Sequence, residues 1–367
     1  MKKILVLTAN AGAGHIQAAK ALQRAFIDKK IDAEFIDCLD YAFNLYRRIY
    51  SEGYIWLVKK SPDIWRALYY SADNWQAIEK SYEFRRRINK IFLSKFIKMI
   101  REKNPDIVVC THFLPLEICC QLKKENKINS KIFCAITDFR VHRLWMVGNK
   151  FVERYFVATD MTKKDLTNMT PKIKNEKVTV TGIPINFNIK KKIHREKIFT
   201  ALLLAGAFSV MPIQSVINYL DGIKEKFRLI VAVGKNKELI ENLNKMKFHH
   251  DIEVLGFIDN MPKLMKSCDL VISKAGGIVS SEAMASELPM IIVDPIPGQE
   301  DNNKKYLVKK GAAFSTTKIQ KLLDIKNQMI YLINHPSKLK KMKKAAKEIG
   351  KPKAAATIVK EILKIRG

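Results

Sequence analysis

Short runs rich in valine and isoleucine alternate with longer stretches of helical periodicity along nearly the whole chain. That alternation confines the fold to parallel sheets covered by helices on both faces, the α/β class. In the first half the predicted strands are 4–8, 33–37, 107–110, 131–136, 155–157 and 178–180; in the second they are 200–204, 227–233, 252–255, 270–273 and 290–293. Each half reads as its own doubly wound unit. The chain's 367 residues suit two such units better than one. The opening of the second half, from Thr200 to Val216, echoes the strand, glycine loop and helix that run from Ile4 to Ala18. Pro184 and Lys190-Lys191-Lys192 interrupt the pattern, which places a linker near 185–197. The expected domains are 1–187 and 188–345, with a basic helical segment, 346–367, packing back toward the first.

Lysine and arginine total 66 against 36 aspartate and glutamate, a formal net charge of +30. An excess of that size calls for an anionic partner: nucleic acid, a phosphorylated substrate or a membrane carrying anionic lipids. The chain has no RNA-recognition motif, zinc finger or recognition-helix signature, so a non-catalytic nucleic-acid-binding protein is the remote alternative and no nucleic acid is expected as partner. Six cysteines, at 38, 110, 119, 120, 134 and 268, form no CxxC pair or zinc-finger spacing and read as reduced thiols in a cytoplasmic protein. The apolar start, Ile4 to Leu7, is broken by Thr8 and Asn10, which argues against a signal peptide. The charge-free stretch 198–220 carries Gly206, Pro212 and Asn218, which argue against a membrane span.

After the first predicted strand come Gly12, Gly14 and His15, and then Ala18, Ala19, Leu22 and Phe26 at helical spacing. Glycines let a backbone turn tightly and approach a ligand, and a helix start presents free N–H groups to it. A dinucleotide loop would read G-x-G-x-x-G, but Gln17 takes the third glycine position. Asp37, where a ribose-binding acid would stand, is what remains of an NAD reading. His15 falls in the first helical turn, where the helix dipole disfavours imidazolium and keeps the ring able to accept a proton, as a general base must. A histidine that caps the helix is the plainer alternative.

In the second half, Gly206-Ala207-Phe208 follows a strand and can expose amides to a phosphate. Lys274-Ala275-Gly276-Gly277 leads from another strand into a helix beginning at Ile278, the pattern of an anion site. Glu282, one turn inside that helix, can accept hydrogen bonds from a pair of neighbouring hydroxyls such as a ribose offers. Glycines that merely allow close packing and a solvated helix acid are the bland alternative. The turn from Asp294 to Asn303 includes Gln299, Glu300 and Asn303 at the carboxyl end of a strand, where doubly wound folds bind ligands, and it suits a sugar.

Taken in order, Gly12-Ala13-Gly14-His15, Thr137-Asp138 with His142 and Trp145, Gly182-Ile183-Pro184, Gly256-Phe257, Lys274 to Gly277 with Ser281-Glu282-Ala283, and Pro297-Gly298-Gln299-Glu300 with Asn303 span almost the whole chain. In these residues it resembles the inverting GT-B glycosyltransferases of the monogalactosyldiacylglycerol synthase and processive diacylglycerol glucosyltransferase type, in glycosyltransferase family 28. The resemblance implies two Rossmann-like domains facing across a cleft, with a UDP-sugar donor held by the C-terminal one and a 1,2-diacylglycerol acceptor entering through the N-terminal one. It places Gly256 and Phe257 against the uracil and Glu282 on the ribose, and counts Ile258 among the nucleotide-sugar-binding residues. Gly206, Gly276, Gly277 and Ile278 would face the diphosphate and Gln299 and Glu300 hold the sugar hydroxyls, with Ala207, Phe208, Lys274 and Asn303 also binding the nucleotide sugar. His15 would be the base, and Gly14, His112, Asp138, His142 and Trp145 would line the acceptor side. No cofactor and no metal are implied, since helix N-termini and loop amides can stabilise the leaving diphosphate. Transfer to an undecaprenyl-linked muropeptide is the alternative within the same enzyme class. The Gly-Ala-Gly-His loop departs from the Gly-Gly-Gly-His of plant relatives.

Between 41 and 75, Trp56, Trp65 and Trp75 are interleaved with Arg47-Arg48 and Lys59-Lys60, which suits a bilayer interface carrying anionic headgroups. From 84 to 103 the spacing of Ile88, Ile91, Phe92, Phe96 and Met99 predicts a core-facing helix. From 337 to 367 there are 11 Lys or Arg against two Glu. Together these place the protein in the cytoplasm, bound peripherally to the inner face of the cell membrane.

Overall fold

The computed structural model describes residues 2–189, 197–205, 213–317 and 320–365. Two compact units emerge: residues 1–186, 297–299 and 353–367 make one, and residues 187–296 and 300–352 the other. In the first, strands β1 (Ile4–Thr8), β2 (Glu34–Asp37), β3 (Ile107–Cys110), β4 (Lys131–Ala135), β5 (Val152–Val157) and β6 (Val178–Val180) form a parallel sheet in the order β2-β1-β3-β4-β5-β6. β1 and β3 are buried along their whole length, which is why they read as unbroken apolar runs. Leu5, Leu7, Val108 and Cys110 feed one core; Ile4, Val6, Ile107 and Val109 feed the other, on the opposite face. The helix Ala354–Lys364 belongs to that second core, with Ile358, Val359 and Ile362 beside Ala19, Leu22 and Phe26 of the helix Ala13–Ile27. Arg154 and Glu361 pair over it at 3.3 Å.

The second unit contains β7 (Thr200–Leu204), β8 (Arg228–Ala232), β9 (Asp251–Leu255), β10 (Leu270–Ser273), β11 (Met290–Ile292) and β12 (Ala313–Ser315), all parallel, in the order β12-β11-β10-β7-β8-β9. This is the dinucleotide-binding strand order, with its switch point between β7 and β10. β12 is missing from the predicted strands because three residues after Gly311 carry too little pattern to read.

Between β2 and β3 the chain runs through a series of short helices. The single helix expected over 84–103 is two, Tyr82–Phe92 and Ser94–Lys103, broken at Leu93. Only the second is a core helix: Phe96 and Ile100 are fully buried, whereas Phe84 and Ile91 of the first stand 67% and 59% exposed. The periodicity is continuous across the break, so spacing alone could not place it. All six cysteines are buried and free. Among the described residues no helix is long and apolar enough to cross a membrane.

Candidate active site

β1 and β3 are neighbours, and the chain leaves β1 toward β2 on the other side, so a switch point lies between their carboxyl ends. His15 and Thr111 meet there. The His15 Nδ1 lies 2.9 Å from the Thr111 carbonyl oxygen and 3.0 Å from the Thr137 hydroxyl. A carbonyl only accepts, so Nδ1 carries the hydrogen and donates it, leaving the lone pair on Nε2. The Thr111 hydroxyl donates back to the His15 carbonyl at 3.0 Å, tying the two loops together. Loss of solvent lowers the His15 pKa from 6.5 to about 4, against the opposing pull of the Thr111 carbonyl. The ring is therefore neutral, as the helix-dipole argument expected, but burial is the main cause.

Gly12 makes the entry to this helix possible: its φ of +128° is open to glycine and strained for other residues. Asp37 does not wait for a ribose. Its carboxylate accepts from the Asn10 N–H at 3.2 Å and the Leu39 N–H at 3.0 Å, bracing the loop after β1 and capping the turn after β2, which removes the last support for an NAD site.

The other two histidines expected on the acceptor side are built into the fold. His112 is 1% exposed and His142 is 8% exposed. Each caps a helical segment, with Nδ1 accepting the N–H two residues on, from Leu114 at 3.0 Å and Leu144 at 3.2 Å. Their neutral rings thus carry hydrogen on Nε2, the opposite tautomer to His15. His112 meets His15 edge-on at 4.6 Å between ring centres, and the buried Trp145 lies 6.2 Å from His15 and 6.4 Å from His112. These aromatic groups wall His15 rather than face solvent. Burial and the neighbouring His15 hold the His112 pKa well below its usual value. Gly14 lies in the first turn with His15, and Asp138 follows β4, half-buried.

In the second unit the loops after parallel strands share one edge of the sheet. Gly206, Ala207 and Phe208 lie outside the described residues. Lys274 and Ala275 lead into Gly276, which caps the helix Gly277–Ala285, where Ile278 is buried. Glu282 is half-buried with no hydrogen-bond or ion-pair partner among the described residues, and loss of solvent raises its pKa to about 8. Glu300 is buried and accepts the Ile296 N–H at 2.7 Å; a Cβ on Gly276 would stand 3.6 Å from its other oxygen. Asn303 is fully buried and donates to the Ala275 carbonyl at 2.8 Å. It supports the glycine loop from beneath and is not open to a sugar. Gln299 opens the helix Gln299–Lys309. A Cβ on Gly256 would meet the Gly234 carbonyl and Ile240 at 3.5 Å each. Phe257 is exposed, with the Lys235 ammonium 5.6 Å from its ring centre, and Ile258 is half-buried beside it.

Residues 15–185 match the family model described as monogalactosyldiacylglycerol synthase, and residues 208–358 match the glycosyltransferase family 28 C-terminal domain. A processive diacylglycerol beta-glucosyltransferase of Bacillus cereus (strain B4264) is 30% identical, and one of Bacillus mycoides (strain KBAB4) 31% identical, each alignment covering 98% of this chain and 93% of the relative. The chain belongs to the monogalactosyldiacylglycerol synthase family of glycosyltransferases. MurG of Acinetobacter baumannii, 14% identical, superposes with a TM-score of 0.61 over 99% of this chain and 100% of its own. The fold of this family member is GT-B.

Sequence reasoning singled out His15 in this glycosyltransferase but not the Thr111 carbonyl that fixes its tautomer. Nor did it single out Lys235 beside Phe257, for which the signal was a Gly-Lys pair directly after a strand.

Proposed function

We propose that the protein is an inverting, metal-independent glycosyltransferase that moves glucose from UDP-glucose to the free hydroxyl of 1,2-diacylglycerol at the inner membrane face. The observation that carries this is His15, whose anchored Nδ1–H leaves Nε2 as the proton acceptor. The acceptor oxygen gives its proton to Nε2 and bonds to the anomeric carbon as the bond from that carbon to the diphosphate breaks. UDP departs with the electron pair. The imidazolium so formed is stabilised by the Thr111 carbonyl and Thr137 hydroxyl. Attack opposite an α-linked nucleotide yields a β-glucoside, consistent with the β product in the names of the Bacillus relatives, which also favour glucose over galactose.

Glu282, without a partner among the described residues, is suited to accept the ribose hydroxyls. Loop amides and the helix start at Gly277 offset the charge developing on the diphosphate. Access to a lipid is supported by Leu45, Ile49, Trp56, Ile64 and Leu68, each at least half exposed, among Arg47, Arg48 and Arg66. Basic side chains beside an anionic bilayer each add on the order of 1 kcal/mol of attraction.

The test supplies purified protein with labelled UDP-glucose or UDP-galactose, each with diacylglycerol vesicles or an undecaprenyl-linked muropeptide. Labelled β-glucosyldiacylglycerol from UDP-glucose is expected, and its chain length reports processivity. No labelled glycolipid from either donor would overturn the reading.

A further inference from the structure

The sequence groups Trp65 with the aromatic and basic residues of a bilayer interface, but the structure gives its indole another partner. Trp65 is half-buried, and its N–H donates to the Pro297 carbonyl at 3.1 Å. The segment Pro297-Gly298-Gln299 belongs to the first unit, as does the helix Pro62–Ala72 that carries Trp65. Pro297 and Gly298 are buried. A buried carbonyl needs a donor and a half-buried indole N–H needs an acceptor, so each group answers the other.

Tyr69, one helical turn after Trp65 and 6.1 Å from it between ring centres, reaches the same segment. Gly298 has a φ of +92°, and a Cβ there would stand 2.5, 2.6 and 2.8 Å from three atoms of the Tyr69 ring. Ring and backbone therefore meet at a distance that only glycine permits. Tyr69 is itself fixed: its ring meets that of His142 edge-on at 4.8 Å between centres, and its carbonyl accepts from His142 Nε2 at 3.2 Å. Ile64 and Leu68, on the adjoining stripe of the helix, are 56% and 50% exposed. One stripe of this helix thus grips the segment while the other is left to solvent.

We propose that Trp65 and Tyr69 are positioning residues for donor-sugar recognition, holding the Pro297–Gln299 segment so that Gln299 meets the sugar hydroxyls at a fixed angle. The inference rests on the reading of Gln299 as a sugar contact. Hexose epimers differ in the direction of one hydroxyl, and telling directions apart requires the contacting group to be held within roughly 0.5 Å. A three-residue segment centred on a glycine does not supply that stiffness alone. The nucleotide is assigned to residues outside this segment, Gly256, Phe257, Glu282 and Gly276 to Ile278. Loosening the segment should therefore change how sugars are told apart and leave the affinity for UDP alone.

The test titrates the full-length protein, without acceptor, with UDP, UDP-glucose, UDP-galactose and UDP-N-acetylglucosamine, read by calorimetry in the wild type, Trp65→Phe and Gly298→Ala. Trp65→Phe keeps an aromatic ring and removes the N–H that holds Pro297. Gly298→Ala drives a Cβ into the Tyr69 ring and displaces the segment independently of Trp65. The affinity of the best-bound UDP-sugar should fall about fivefold in each variant, the worth of one hydrogen bond, with weaker-bound sugars losing less. Affinity for UDP should stay within about twofold, which also reports that the variants are folded. An unchanged ranking of sugars in either variant that still binds UDP would overturn the inference and leave the donor reading in place. UDP and UDP-sugar affinities falling together in both variants would also overturn it, since the contacts would then be structural only. Equal affinity for the three UDP-sugars in the wild type would overturn both, because the segment would then distinguish no sugar.

Discussion

The chemistry proposed for His15 rests on one hydrogen bond, because the Thr111 carbonyl decides which ring nitrogen carries the proton. His15→Ala should lower turnover by about 100-fold or more while leaving UDP affinity within about twofold, measured by initial rates and calorimetry. With its pKa lowered to about 4 by burial, His15 remains a base well below the usual histidine range. The acid limb of kcat/KM should therefore fall near pH 4 and not near 6.5; a limb at 6.5 would mean that water reaches the ring in solution. Glu282 has the opposite bias, its pKa raised to about 8. If ribose hydroxyls bind its carboxylate form, UDP binding at neutral pH should release a proton, visible as a dependence of the calorimetric enthalpy on buffer ionisation, and Glu282→Gln should abolish that dependence. The types and positions of His15 and Glu282 were legible in the sequence because a strand, a glycine turn and a helix leave few places for a side chain to go. The Nδ1 anchor and the buried states of His112, His142 and Asn303 were not, since a motif names a residue without saying which way it faces.

At the scale of elements, the helix Pro62–Ala72 presents Ile64 and Leu68 to solvent and is clasped at its far end. Asp73 accepts the Arg143 N–H at 2.7 Å, the Arg143 guanidinium donates to the Asp73 carbonyl at 2.8 Å, and His142 Nε2 donates to the Tyr69 carbonyl at 3.2 Å. The clasped segment carries Trp145, which walls His15. Arg143→Ala should thus reduce kcat several-fold and shift the acid limb upward as water reaches His15, with UDP affinity unchanged. An unchanged pH profile would show that the clasp serves stability alone. Gly148, just after this segment at φ +72°, packs on Cys120, and an added Cβ would overlap the cysteine side chain. Gly148→Ala should cost roughly 2–3 kcal/mol in denaturant unfolding, from left-handed backbone and overpacking together. Elements with strong period were legible, and eleven of the twelve strands among the described residues stand where the apolar runs put them. The break at Leu93 and the clasp were not, because a hydrophobic pattern continues through a helix break and a contact between residues 73 and 143 leaves no local trace.

For the whole molecule, the +30 charge and the two units give tests with different signatures. Attraction of the basic surface to anionic vesicles should fall steeply between about 0.1 and 0.5 M salt, as screening shortens the reach of exposed charges, while the apolar contribution of Leu45, Trp56 and Leu68 persists. Acid should act on the two units in opposite directions through the groups identified here. His15 and His112, in the first unit, have folded pKa values below the unfolded value, so the unfolded chain binds more protons and their contribution to stability is lost as pH falls below about 6.5. Glu282, in the second, has a folded pKa raised from 4.5 to about 8, so the folded state holds the extra proton and its contribution rises as pH falls from 8 toward 4.5. Each unit has its own core, so calorimetry should resolve two transitions. The comparison with variants isolates each group from the other acids in its unit. Glu282→Gln should flatten the pH dependence of the second unit's melting temperature between pH 5 and 8 by several degrees and leave the first unit's unmoved. The pair His15→Gln with His112→Asn, the asparagine keeping an acceptor at the helix cap, should flatten the first unit's loss between pH 6.5 and 4.5. Movement of both transitions by either set would mean that the units unfold together.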